Sequence, residues 1–541
     1  MTITPPGSTI PNRLSNGFVR QAMGRTGHTF IPSSHKFLHF VGRWTTAANQ
    51  LRRDAALPGS YLEFVITNTT SLYCELSNIS VDDQEINQGK EERILVDRHT
   101  DHAILQPASP NQPPSRQVSL LVQVNDNHDY IGYDNAFGMI EIADDLDPSK
   151  AYKVKITHLG SPGTDSGTVE FKGIWVDKPL QPGTFEKSSS QHPRTVLRNP
   201  FFYCPNGHFV QAKLSCWKTQ EKKTIEIVGS ETALTAFAAN EDDGVMAGRL
   251  IAWTEFVRKR LSVDTVLIPT SKLGLLPRES SPETIGSLFF RSGSPSTAHF
   301  SRPWSFSSYR PSVLVLQLGL VDFMLFFADK KNHGDRAINK FKAEMKAAII
   351  DLVHNIRKTA YPHDSATNQF ESGATGDGGY RYNSAPSTLP IFLITPFTAS
   401  RRFVTKRQKL DSIISDVLAQ AASTLQSEGD KSSFWIDTSG WLESRVDFLV
   451  LPNSTSKRSR LDTAMLTPFA NFKVASLLED HLCPHLNLPT ANPSETSNNC
   501  DFIRYDNYLG DVYIPGNVEF NRALTERKIA TLKERFGIMA M

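Results

Sequence analysis

Lys223-Thr224-Ile225-Glu226-Ile227-Val228-Gly229-Ser230-Glu231-Thr232 decides how this chain is read. Ile225 to Val228 is a short, largely apolar run closed by a glycine, the pattern of a strand buried on both faces. The segment that follows, Ala233 to Ala239, is helix-prone. Strand, glycine turn and helix in that order form the frame on which many hydrolases mount a nucleophilic serine. Here Glu231 stands where that serine is expected.

Downstream of this strand the same alternation continues. Strands are predicted at 225–228, 265–268, 312–318, 389–395 and 433–437, with helices at 248–261, 335–359, 406–426 and 472–482. Apolar strands alternating with amphipathic helices predict a parallel sheet covered on both faces. Two polar stretches interrupt the pattern: 365–387, read as a surface loop, and the basic, Ser-rich 453–460.

Upstream the pattern changes to short strands separated by Pro, Gly, Asn and Asp clusters. Gly59-Ser60-Tyr61-Leu62-Glu63-Phe64-Val65-Ile66 and Ser119-Leu120-Leu121-Val122-Gln123-Val124 alternate in the strand period, as does Thr168 to Val176. That is the pattern of a β-sandwich or jelly roll. The predicted organisation is a polar tail (1–35), a jelly-roll β-sandwich (36–180), a Ser/Pro/Lys-rich junction (181–222), an α/β domain (223–490) and a C-terminal extension (491–541). In the extension Phe520, Leu524, Ile529, Leu532 and Phe536 fall at near-helical spacing. This helix is read as docking back on the body, with a protein partner as the sharper alternative.

Composition removes several function classes. A chain of 541 residues exceeds one ordinary core. Its 58 basic and 56 acidic residues leave a net charge of +2, which supplies no electrostatic footprint for nucleic acid. No window reaches the ~20 apolar residues of a membrane span, and the N-terminus has no apolar core of a secretory signal. A cytoplasmic location is therefore expected. The five cysteines are odd in number and lack zinc-ligand spacing, so reduced thiols are expected and no metal or cofactor is.

In order and spacing these pieces resemble fungal members of carbohydrate esterase family two. The match runs over residues 36–486 through Gly42-Arg43-Trp44, Pro58-Gly59-Ser60-Tyr61 and Phe171-Lys172-Gly173-Ile174. It continues through Ile225 to Gly229, Trp304 to Pro311, Val313 to Gly319 and Ile436 to Trp441. The resemblance implies a jelly roll joined to an SGNH (GDSL-type) hydrolase domain, a three-layer α/β/α fold on a parallel sheet. It also implies acyl-ester chemistry. In such a site a Ser after Gly-Asp attacks the carbonyl and a His three residues after an Asp takes its proton. A Gly amide and an Asn amide help hold the oxyanion, each donor being worth about 10²–10³ in rate.

On this sequence those positions carry other residues. After Gly229 come Ser230 in the Asp place and Glu231 in the Ser place. The oxyanion Gly becomes Thr270. Gly-x-Asn-Asp becomes Gly319-Leu320-Val321-Asp322, so Val321 removes a side-chain donor. Asp-x-x-His becomes Asp462-Thr463-Ala464-Met465, so Met465 replaces the base. The usual Gly and His a little further on become Ala470 and Asn471.

Each candidate also has a structural reading. Ser230 is a shifted nucleophile or a helix cap. Glu231 is an acid in the first turn, favoured by the helix dipole, or a catalytic carboxylate beside Asp322 and Asp462. His299, His481 and His485 are read as packing residues. Trp44, Tyr130, Tyr133 and Trp175 are sandwich-core residues or an exposed carbohydrate surface. Two functions remain open. One is a non-catalytic, esterase-derived protein that binds an acylated carbohydrate, a small molecule or a partner. The other is an active deacetylase or acyl transferase with an unorthodox site.

Overall fold

The alternating runs fold as antiparallel strands. In a computed structural model the chain is described at 28–47, 52–77, 118–125, 130–133, 136–160, 167–177, 222–229, 252–270, 273–278, 282–295, 297–328, 334–362, 389–397, 404–436, 438, 441–442, 447–450 and 464–486. The first strands are β1 (His28–Pro32), β2 (His39–Val41), β3 (Trp44–Thr46), β4 (Arg53–Ala55), β5 (Tyr61–Thr67), β6 (Leu72–Leu76), β7 (Ser119–Val124), β8 (Tyr130–Tyr133), β9 (Met139–Ala143), β10 (Ala151–Gly160) and β11 (Val169–Asp177). One sheet runs β3-β4-β11-β6-β9, with β1 also on β11; the other runs β2-β5-β10-β7-β8.

Period two places alternate side chains on one face. Leu62, Phe64, Ile66, Leu120, Val122, Val154 and Ile156 of the second sheet therefore meet Ile31, Leu72, Cys74, Ile140, Ile174 and Val176 of the first in one core. Trp44 and Tyr133 belong to that core as well. The Trp44 indole N–H donates to the Val41 carbonyl (3.1 Å) and the Tyr133 hydroxyl donates to the Glu141 carbonyl. Of the four aromatics weighed for sugar binding, only Tyr130 and Trp175 are left half-exposed.

The described residues fall into two compact units, and their boundary holds one surprise. Ser292–Arg302 leaves the α/β part of the sequence and belongs to the sandwich unit. Gly293 forms a bridge with Ala56. His299 is buried with its Nε2 at 3.6 Å from the buried carboxylate of Asp54.

The second unit is built on β12 (Thr224–Gly229), β13 (Asp264–Pro269), β14 (Val313–Gln317), β15 (Ile391–Ile394) and β16 (Ser433–Ile436), all parallel in the order β13-β12-β14-β15-β16. Its helices are α1 (Trp253–Leu261), α2 (Ile285–Phe289), α3 (Leu320–Ala328), α4 (Asp335–Asn355), α5 (Val404–Ser427) and α6 (Pro468–Leu486); a small ladder pairs β17 (Phe448–Val450) with β18 (Ala464–Leu466). Ile225, Ile227, Val313, Val315, Phe392 and Ile394 pack with Trp253 and Val257 of α1 and with Val474, Leu478 and Leu482 of α6. The alternate residues Glu226, Val228, Leu314, Leu316 and Leu393 are equally buried, so both faces of the sheet are covered. The predicted β domain followed by an SGNH-like α/β domain is the fold observed.

One expectation needs correction. Cys483 in α6 is disulfide-bonded, whereas Cys74 is a buried free thiol. The cysteines are therefore not all reduced.

Candidate functional site

Strand order locates the site before any side chain is considered. β12 lies between β13 and β14, so the connections before and after β13 leave in opposite directions across the sheet. In open α/β sheets ligands bind at the carboxyl ends of strands at this switch point. Gly229 ends β12, directly opposite Pro269 at the end of β13. The next residues, Ser230 and Glu231, lie outside the described residues, as does Asp462.

Thr270 follows β13 and is buried. Its backbone N–H donates to the Gly229 carbonyl (2.8 Å), and its hydroxyl donates to the same oxygen (3.1 Å). Both donors are thus engaged in holding the end of β12. Gly319 follows β14 with φ +97°, a conformation that disfavours a side chain, and a Cβ there would lie 3.2 Å from the Phe323 ring. This turn places Val321 and Asp322 in the first turn of α3.

Asp322 is buried, and its carboxylate accepts from the backbone N–H of Leu275 (2.9 Å) and Leu276 (3.0 Å). Burial pushes this carboxyl above its ordinary value, opposed by those amides and by the Arg278 charge. The role is to pin the 273–276 segment beside the site. α3 is inverted for a surface helix. Its only charged residue, Asp322, points inward with Phe323, and the half-exposed Phe326 ring stacks on Phe341 at 4.0 Å. Leu320, Val321, Met324 and Phe327 are half-exposed, and Leu325 is exposed. Val321 therefore opens an apolar strip leading away from Gly319.

The resemblance expects histidine at 465 and 471. Met465 lies in β18 opposite Leu449. Asn471 is fully buried near the start of α6. Its Oδ1 accepts from the Trp253 backbone N–H (2.9 Å), and its Nδ2 donates to the Leu466 (3.2 Å) and Thr467 (3.0 Å) carbonyls. Trp253 opens α1, whose N-cap Ala252 has no capping side chain, so Asn471 supplies the cap from another helix. The other described histidines of this unit are also occupied. His481 stacks on Trp441, His485 packs against Phe392 and Phe434, and His354 pairs with Glu428 at 3.0 Å. Burial lowers the pKa of both His481 and His485.

Among the described residues no group of three or more His, Cys, Asp or Glu could hold a metal ion, and no helix is long and apolar enough to cross a membrane.

No protein-family model matches the sequence, and no curated protein matches it. Solved structures do. A family two carbohydrate esterase from Cellvibrio japonicus is 11% identical with a TM-score of 0.52, over 85% of this chain and 98% of that one. An acetyl xylan esterase from the rumen bacterium Butyrivibrio proteoclasticus is 13% identical with a TM-score of 0.50, over 85% and 99%. A Clostridium thermocellum family two carbohydrate esterase in complex with cellohexaose is 14% identical with a TM-score of 0.49, over 84% and 100%. The chain has the fold of the family two carbohydrate esterases.

Within that esterase fold two of the matched sequence blocks meet. Tyr309, from the Trp304 to Pro311 block, donates its hydroxyl to Glu226 Oε1 (2.5 Å), and the Tyr361 hydroxyl donates to Oε2 (2.7 Å). Glu226 is fully buried in β12, an interior strand of the sheet. Sequence reasoning passed over it, although one acid inside an apolar parallel strand is itself a signal that buried partners must exist.

Proposed function

We propose that this chain is an esterase-derived protein that binds an acylated carbohydrate or small acylated molecule at the carboxyl edge of its parallel sheet without hydrolysing it. The observation that carries this reading is Thr270. At the position where the resemblance expects the oxyanion Gly, its backbone N–H and its hydroxyl both donate to the Gly229 carbonyl. Val321 in place of an amide donor and Met465 in the place of the base support the same reading. Loss of one oxyanion donor alone typically costs about 10²–10³ in rate. The apolar outer strip of α3 suits the acyl portion of such a ligand. The family chemistry of the similar proteins supports an acylated sugar as its class.

Binding is tested by calorimetric titration of the whole protein with acetylated xylose and unacetylated xylose. Preferential binding of the acetylated sugar, weakened at least tenfold by Val321→Asp, is expected. Equal affinity for both, or no binding of either, refutes the ligand class.

A further inference from the structure

The outer face of the sandwich carries a second feature, separate from the catalytic positions and independent of the function proposed above. Register places Phe30 of β1 opposite Trp175 of β11, Trp175 opposite Tyr73 of β6, and Tyr73 opposite Glu141 of β9. Their strand neighbours Ile31, Ile174, Val176, Leu72 and Cys74 all point into the core. Period two therefore turns the three aromatics outward together. Phe30 is 38% exposed, and Trp175 and Tyr73 are half-exposed.

The row is braced. The Trp175 indole N–H donates to Glu75 Oε2 (2.7 Å), whose other oxygen meets Lys172 Nζ at 3.3 Å. The Phe30 and Trp175 ring centroids are 4.9 Å apart. The Phe30 ring lies over Gly173, where an added Cβ would fall 2.6 Å from the ring. Glycine at 173 lets the ring lie against the sheet with its other face to solvent. The His28 ring meets Tyr73 edge-on at 5.8 Å. Core packing accounts for none of these outward rings.

We propose that this aromatic row is a binding platform for a neutral oligosaccharide, a second sugar site distinct from the carboxyl edge of the α/β sheet. Three aromatics on adjacent strands span two strand spacings, about 10 Å, enough to receive two adjoining sugar rings. Ring faces accept the apolar C–H face of a pyranose, and the indole held by Glu75 is ordered before binding, which reduces the entropic cost of association. Glu75 and Glu141 flank the row, one paired with a lysine, and accept hydroxyl hydrogen bonds. The same carboxylates disfavour a polyanionic ligand by like-charge repulsion.

The full chain is titrated by calorimetry with cellohexaose and xylohexaose, with a heparin hexasaccharide as the anionic comparison. Binding of a neutral hexasaccharide is expected, weakened at least tenfold by Trp175→Ala and severalfold by Phe30→Ala, and retained in Val321→Asp. Should Trp175→Ala fail to fold, Phe30→Ala and Tyr73→Ala decide the matter, because neither removes the indole–Glu75 bond. Unchanged affinity in those variants overturns the proposal, as does absence of binding by the wild type. Loss in Val321→Asp alone places the sugar at the α/β site and equally overturns it. Tighter binding of heparin than of either neutral sugar would exclude this ligand class. Self-association in sedimentation velocity that disappears in Phe30→Ala would assign the row to a second copy of the chain and overturn the sugar reading.

Discussion

Replacing Asn471 with alanine tests whether this position is structural. The side chain makes three hydrogen bonds: one from the Trp253 N–H at 2.9 Å and two to the Leu466 and Thr467 carbonyls at 3.2 and 3.0 Å. Thr467 O keeps the Asn471 backbone N–H as a donor at 3.0 Å, so its loss is partial. Trp253, fully buried, opens a largely buried helix whose own N-cap has no side-chain acceptor. An unsatisfied buried donor costs about 1–3 kcal/mol, and each net hydrogen bond lost adds about 1 kcal/mol. Asn471→Ala is therefore expected to destabilise the α/β unit by about 3 kcal/mol. Urea unfolding followed by tryptophan fluorescence is the assay. With a slope near 2–3 kcal/mol per molar, the midpoint of the α/β transition falls by about 1 M. The two units need not unfold together, so the transition must be resolved from that of the sandwich. A loss below about 0.5 kcal/mol would mean the hydrogen bonds do not hold the helices, and the structural account of this position would fail.

Two further perturbations test the same physics elsewhere. Lys473 Nζ lies 2.9 Å from Asp447 Oδ2 with both side chains 1% exposed, so Lys473→Met removes the counter-charge of a buried carboxylate and is expected to cost about 3–5 kcal/mol in urea unfolding. The double variant Lys473→Met/Asp447→Leu should recover most of that loss, and failure to recover would show that the charge is not what is being lost. In the sandwich, burial pushes the Asp177 carboxyl up, but hydrogen bonds from Thr69, Thr70 and Ser71 outweigh it and hold the carboxyl at about 2, below its ordinary 3.8. Because the folded value is the lower one, this contribution is complete above about pH 4 and is lost as pH falls toward about 2. Asp177→Asn should flatten the acid-induced loss of sandwich stability in that window, measured by near-ultraviolet circular dichroism; an unchanged slope refutes the assignment.

The elements that carry their own periodicity were legible in the sequence. The run at 225–228 is the core of β12, and the helix predicted at 335–359 is α4 continued by a turn of π-helix, Ile356–Ala360. Boundaries shifted where tertiary partners decide them. The last helix begins at Pro468 rather than 472, where Thr467 accepts the Asn471 amide and the Asn471 side chain is tied down. α3 was not predicted. Its apolar run lacks the polar positions of an amphipathic helix, because its one acid is turned inward. The Glu226 partners lie 83 and 135 residues away, and Asp54 is joined to His299 from the other half of the chain. No local pattern encodes such meetings. Trp175 could be flagged as an aromatic from sequence, but only strand register shows that Phe30 and Tyr73 stand in line with it.

On the function proposed above, the esterase frame is kept while its hydrolytic machinery is not. The most direct measurement is turnover of p-nitrophenyl acetate and acetylated xylose by the purified chain, with Ser230→Ala and Glu231→Ala beside it. Release at the rate of buffer alone is expected, with no difference among the three proteins. Turnover by the wild type that either substitution abolishes would contradict it and identify an active, rearranged site.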